Sequence, residues 1–251
     1  MVIQAFIFDL DGTLVETEQL KAHAYAAVAQ ELLGLDAPDD RAVELYESVV
    51  GTTDEGVANA MIAALGLAPA LAAQAAPIDN EQPWQTLHRL RMHAYQERFG
   101  TPQGIRQRMH RHNVDLVKEQ RAAGRRVAVA TSSFTDEARR VLCILGILDD
   151  LEDVVGREQV THPKPHPEIY LATMERLGVA PHETVVIEDS PVGVTAAEAA
   201  ETHWICVANQ WTAEPLRQNP AIDQQWVVYD PADLHTVVEK RMAFASYRPG
   251  E

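Results

Sequence analysis

From residue 105 onward the chain alternates short apolar runs with amphipathic segments, and that alternation leaves it few folds. Apolar runs lie at 127–130, 153–155, 184–187, 204–207 and 226–228, among segments of helical character at 105–123, 136–145, 167–177, 191–200, 212–218 and 231–245. Runs this short, apolar throughout and set between helices, specify parallel strands covered on both faces, because such a strand has no solvated side on which to alternate. A further run, Ala5-Phe6-Ile7-Phe8, opens the chain and is expected in the same sheet. The predicted fold is therefore α/β, a doubly wound parallel sheet. In such sheets functional groups gather outside the carboxyl ends of the strands.

Residues 17–100 break the alternation. Helical patterning there covers 17–34, 40–50, 54–65, 69–76 and 84–99 with a loop at 76–83, and no strand is evident. This block is expected to be an inserted all-helical cap spanning 17–100, leaving 1–16 and 101–251 as the core. Thr17 and Asp54 are expected to cap helix starts, and Gly34, Gly66 and Gly100 to stop helices.

Three strand ends carry polar groups. The first run ends on Asp9-Leu10-Asp11-Gly12-Thr13-Leu14. Two carboxylates two residues apart on an extended chain point the same way, and Gly12 permits a sharp turn beside them. An Asx turn closing a strand is the plainer alternative. The run at 127–130 leads into Thr131-Ser132-Ser133, a seat for a phosphate or an ordinary helix cap. The run at 184–187 leads into Glu188-Asp189-Ser190, where capping of the next helix competes with a cation-binding role. Two acidic pairs side by side crowd like charges that a hard cation relieves, and oxygen ligands suit Mg²⁺. Lys164 stands among prolines in His162-Pro163-Lys164-Pro165-His166-Pro167, which fix the backbone around one ammonium.

Composition narrows the partners. A formal charge of −16 argues against nucleic acid, which is bound by neutralising phosphates. No apolar run approaches the roughly 20 residues of a membrane span, and no signal-peptide pattern opens the chain, so a cytoplasmic protein without a membrane partner is expected. Cys143 and Cys206 lie in apolar stretches and are expected to be buried reduced thiols. From 84 to 126 the chain holds ten of its 21 Lys and Arg residues against three acids, Glu97, Asp115 and Glu119, which is expected of a solvated basic helix face. No sequence feature specifies an oligomeric state.

Taken together, Asp9-Leu10-Asp11-Gly12-Thr13-Leu14, Thr131, Lys164 in Lys-Pro-x-Pro with Tyr170 behind it, and Glu188-Asp189-Ser190 with Gly193 resemble the haloacid dehalogenase superfamily. In detail the likeness is to its branch of small phosphatases and β-phosphoglucomutase-like enzymes. The resemblance implies that Asp9 is a nucleophile forming an aspartyl phosphate and that Asp11 is the general acid and base. It implies that Thr131, Ser132 and Lys164 hold the phosphoryl group. Asp9, the backbone carbonyl of Asp11 and Asp189 would bind Mg²⁺, with Glu188 beside the ion or one layer out. Branches that attack carbon–halogen or carbon–phosphorus bonds typically lack the second acid, so Asp11 favours a phosphate ester. The expected partner is a small phosphorylated metabolite.

Sugar-phosphate mutases of this type carry a histidine after the first motif, an arginine in the second cap segment and a lysine after the Ser/Thr motif. The corresponding places here hold Lys21, Asp54 and Phe134, which favours a phosphatase over a mutase. Phosphonate-cleaving relatives require a cap lysine, whereas Thr52, Thr53 and Asp54 follow Gly51. The substrate is expected to meet Thr17, Glu18, Lys21, Thr52 and Thr53, with closure of the cap excluding water. A non-catalytic binding module on the same fold would be expected to lose Asp9, Asp11, Lys164 or Asp189, and all four are present.

Overall fold

The computed structural model describes residues 2–49, 53–74 and 81–246, apart from the side chain of Glu47. Gly51, Thr52 and most of the expected 76–83 loop lie outside the described residues. Contacts divide the chain into two compact units, Met1–Glu16 with Ile105–Glu251, and Thr17–Gly104.

The first unit opens with β1 (Ala5–Phe8), after which the chain leaves for the helical second unit. That unit comprises α1 (Glu18–Leu33), α2 (Asp40–Val49), α3 (Asp54–Leu65), α4 (Ala68–Ala72) and α5 (Pro83–Ala94), the last continuing into one π-helical turn, Tyr95–Phe99. The chain then runs through α6 (Pro102–Gln107), α7 (Arg111–Ala122), β2 (Arg126–Ala130), α8 (Thr135–Leu145), β3 (Asp153–Val155) and α9 (Glu168–Leu177). It ends with β4 (Thr184–Glu188), α10 (Pro191–Ala199), β5 (His203–Val207), α11 (Ala213–Gln218), β6 (Val227–Val228) and α12 (Leu234–Ser246).

The six strands form one parallel sheet in the order β3-β2-β1-β4-β5-β6. β1 lies at the centre, with Phe6 opposite Val127 on one side and Val185 on the other. Every residue of β1 is fully buried, which is what a strand packed on both faces requires. Ala5, Ile7, Ala128, Ala130 and Val186 pack in one cluster with Tyr170 and Met174 of α9 and Val194 and Ala197 of α10. The strand order reverses between β1 and β4, so a crevice is expected at their carboxyl ends. Among the described residues no helix is long and apolar enough to cross a membrane.

Four local expectations change. The helix expected at 105–123 is two helices, because residues 108–110 pair with 14–16: the Glu16 N–H donates to the Arg108 carbonyl and the His110 N–H to the Leu14 carbonyl, each at 2.9 Å. That pairing is tertiary, so no Pro or Gly announces it. Thr17 makes no side-chain capping bond, and α3 is capped by Thr53, whose hydroxyl accepts the Gly56 N–H at 3.0 Å, rather than by Asp54. Gly34 and Gly66 end their helices in the left-handed conformation, but Gly100 does not; there a Cβ would meet the Tyr95 ring at 2.7 Å. Cys206 is buried as expected, whereas Cys143 is exposed, since α8 buries Ala138, Val141, Leu142 and Leu145 and turns residue 143 outward.

Candidate active site

Parallel strands with matched register deliver their last residues to one place. β1 ends at Phe8 and presents Asp9, whose N–H still donates to the Ile187 carbonyl of β4 at 2.9 Å. β4 ends on Glu188, followed by Asp189, and all three acids are at most 7% exposed. β2 ends at Ala130, followed by buried Thr131. Lys164 arrives from the proline-rich segment and closes the group. Its Nζ lies 2.7 Å from Asp9 Oδ1, 2.6 Å from Glu188 Oε1 and 3.2 Å from the Ala130 carbonyl.

The electrostatics follow from burial. Desolvation raises the Asp9 carboxyl to about 7; Lys164 opposes the rise, while the nearby Glu188 and Asp11 charges add to it. Burial would lower Lys164, but the Asp9 and Glu188 carboxylates override it and hold the ammonium well above its ordinary value. Burial and the Glu188 charge likewise push Tyr170 well up, and its hydroxyl donates to Glu188. Glu188 also accepts from the Asp189 N–H at 3.1 Å and the Ser190 hydroxyl at 3.3 Å. Its oxygens are therefore largely occupied by protein donors.

Asp11 is half-buried, and Ser133 donates its hydroxyl to Asp11 Oδ2 at 2.5 Å. The Ser133 N–H in turn donates to Thr131 Oγ1 at 3.0 Å, so the triplet after β2 folds into a compact turn against the second acid. Ser132, the expected phosphate ligand, has an exposed side chain; Ser133 is the serine that reaches the acids.

Asp189 is fixed by a group not anticipated from sequence. Asn209 Nδ2 donates to Asp189 Oδ2 at 2.8 Å, while Asn209 Oδ1 accepts the Trp211 and Thr212 N–H groups at 2.8 and 3.1 Å. The strand-end rule carries the signal for it, since Asn209 lies two residues beyond β5. Two glycines make room for these carboxylates. Gly12 has φ +86°, and a Cβ there would stand 2.3 Å from Asp189 Oδ2; at Gly193 a Cβ would stand 1.9 Å from the Glu188 carboxyl carbon.

In the helical unit, Lys21 is mostly buried and its Nζ lies 3.2 Å from Glu18 Oε1. The Tyr46 hydroxyl donates to the same carboxylate. Thr17 is buried, Thr53 serves as the cap already described, and Thr52 lies outside the described residues. Arg91, 4% exposed, reaches to 3.8 Å from Asp54 and stacks 5.6 Å from the Tyr25 ring centre. A guanidinium from α5 thus accompanies Asp54, the acid expected from sequence at the mutase arginine position.

Carboxylate oxygens of Asp9, Glu188 and Asp189 lie within 4.8 Å of one another. With Asp11 beside them, four acids stand around one ammonium among the described residues, largely shielded from water. The excess negative charge and all-oxygen donor set fit a hard divalent cation.

The family model of haloacid dehalogenase-like hydrolases matches residues 3–201. A phosphorylated carbohydrates phosphatase of Thermotoga maritima is 32% identical over 198 residues, spanning 79% of this chain and 82% of that protein. Protein CbbY of Cereibacter sphaeroides is 33% identical over 205 residues, spanning 79% of this chain and 81% of its own length. Among solved structures, a β-phosphoglucomutase from Clostridium difficile has the same fold, with a TM-score of 0.72 over 98% of this chain and 100% of that one at 21% identity.

Proposed function

The chain belongs to the haloacid dehalogenase-like hydrolases, and on that footing we propose that it is a Mg²⁺-dependent phosphatase of a small phosphorylated metabolite, such as a sugar phosphate. The observation that carries the reading is Lys164 bound at once to Asp9 and Glu188, inside a buried acid cluster that has a second acid, Asp11, at its edge. The Thermotoga maritima relative, a phosphorylated carbohydrates phosphatase, supports the substrate class.

Asp9 attacks phosphorus as the ester P–O bond breaks, leaving an aspartyl phosphate. Asp11 passes its proton to the departing alkoxide, then takes one from the water that attacks phosphorus. Inorganic phosphate leaves and Asp9 is restored. Both displacements need charge on the equatorial oxygens neutralised more than they need a strong acid. Lys164 and the Thr131 turn supply part of that, Lys164 by exchanging its carboxylate partners for phosphoryl oxygens. Mg²⁺, held by Asp9, the Asp11 carbonyl and Asp189, supplies the remaining positive charge when bound. Glu188, already engaged by Lys164, Tyr170 and Ser190, orients the lysine and backs the ion.

A mutase reading draws on Arg91 as a clamp for a second phosphate. Arg91 already faces Asp54 and Tyr25, so such a phosphate would have to compete with a carboxylate, and hydrolysis is preferred. Phosphate release from a panel of phosphomonoesters with Mg²⁺ tests the proposal. Asp9→Asn is expected to lower kcat by about 10⁴-fold or more, and EDTA to abolish turnover. Full activity in Asp9→Asn would sink the mechanism. Interconversion of sugar 1- and 6-phosphates faster than phosphate release would replace phosphatase with mutase, and inactivity across the panel would favour a binding module.

A further inference from the structure

A second cluster of metal-ligating groups lies on the proline-rich segment that carries Lys164. We propose that His162, His166 and Glu168 form a binding site for a zinc-class divalent ion, separate from the buried acid cluster. One donor atom from each residue lies within 4.8 Å of the other two. His162 Nδ1 is 2.7 Å and His166 Nδ1 3.9 Å from Glu168 Oε2, and the two imidazole rings are centred 4.6 Å apart. Around tetrahedral zinc, with bonds of about 2.0–2.2 Å, ligand atoms stand roughly 3.3–3.5 Å from one another. Small rotations of these side chains supply the difference, and both histidines are at least half exposed and able to make them.

The backbone is prepared for this. Pro163 follows His162, and Pro165 and Pro167 flank His166, so the backbone between the two histidines is restricted and ordering the pair costs little further chain entropy. Glu168 is oriented by the Thr161 N–H at 2.7 Å and the His162 N–H at 2.9 Å. Hydrogen bonds of this kind hold a ligating carboxylate in place while lone pairs remain for an ion. His166 Nδ1 accepts the Glu168 N–H at 3.2 Å, a weak bond that the ring would exchange for the ion.

On binding, each imidazole coordinates as a neutral group: the His162 ring hydrogen moves from Nδ1 to Nε2 by exchange with solvent, so that Nδ1 offers its lone pair, and water completes the coordination. Two nitrogens and one oxygen favour zinc-class ions, whereas the all-oxygen cluster at Asp9 and Asp189 favours Mg²⁺. Lys164 lies midway between the two histidines in sequence, so the ion would fasten the backbone on both sides of the lysine that bridges Asp9 and Glu188.

Calorimetric titration of zinc chloride into the full-length protein, kept in excess Mg²⁺, is the test. One saturable zinc event is expected in the wild type and in Asp189→Asn. In the double variant His162→Gln/His166→Gln it is expected to weaken by at least about tenfold. Zinc should also raise the Tm of the wild type but not of the double variant. The single variant His166→Asn, expected to weaken binding in the same direction, serves if the double variant does not fold by circular dichroism. Absence of saturable zinc binding, unchanged affinity in the histidine variants, or loss of the event in Asp189→Asn would each overturn the proposal.

Discussion

The strand ends of the first unit and the polar cluster of the helical unit are built by opposite means. At Asp9, Thr131, Glu188 and Asp189 the groups sit on or next to the backbone of three adjacent strands, and β-sheet register holds them together. In the helical unit, Glu18, Lys21 and Tyr46 meet across α1 and α2, while Asp54 and Arg91 meet across α3 and α5, contacts that rest mostly on long side chains. Side chains fixed by a shared sheet register leave little freedom and suit chemistry that must be the same for every substrate. Long side chains on helices can be exchanged one at a time, which suits a region that selects among substrates.

If that contrast holds, damage to the strand ends should reach the chemical step itself. Asp11→Asn is expected to lower kcat/KM on alkyl phosphates, which reports phosphoryl transfer to Asp9 and not the later attack of water, by about 10²–10⁴-fold. The loss should be smaller on an aryl phosphate such as p-nitrophenyl phosphate, whose leaving group needs no proton. Equal losses on both substrates would remove Asp11 from the role of acid.

A second, smaller effect concerns pH. In the cation-free protein the Asp9 carboxyl titrates at about 7 against an ordinary 3.8, so the folded chain retains a proton that the unfolded chain has lost. That contribution to stability is complete below about pH 4 and is lost as pH rises through 7. Wild-type Tm, measured against Asp9→Asn without divalent ions, should therefore decline from pH 4 to 8. Added Mg²⁺ should flatten the difference, because a bound dication stabilises the carboxylate. A difference that rises with pH in the absence of metal contradicts the assignment.

The smallest effect is expected in the helical unit. Lys21→Met should shift KM among phosphate esters by less than about tenfold, since Lys21 pairs with Glu18 of its own helix, in a unit that holds none of the strand-end acids, and should leave Mg²⁺ affinity unchanged. A large loss of kcat on every substrate would place Lys21 with the chemical machinery and erase the distinction between the two regions.

The convergence of Asp9, Asp11, Glu188 and Asp189 was legible because a short apolar run marks a strand and the residues after it must lie at one edge of the sheet, whereas Lys164 follows no such run and stood out only by its flanking prolines. Asn209 obeys the same rule but follows an uncharged strand end, where an amide attracts less notice than paired acids. Ser133 was indistinguishable from Ser132 by composition; only the direction of the turn after β2 decided which hydroxyl reaches Asp11. The break near Met109 and the meeting of Asp54 with Arg91 depend on which segments lie side by side.

By itself, then, the sequence determined the parallel sheet, the helical character of residues 17–100 and the acid pairs at the strand ends, because burial on both faces and strand polarity leave these few alternatives. Tertiary structure alone decided which donor satisfies which carboxylate. Those pairings join residues as far apart as Lys164 and Asp9, or Asn209 and Asp189, and local pattern holds no record of distances set by packing.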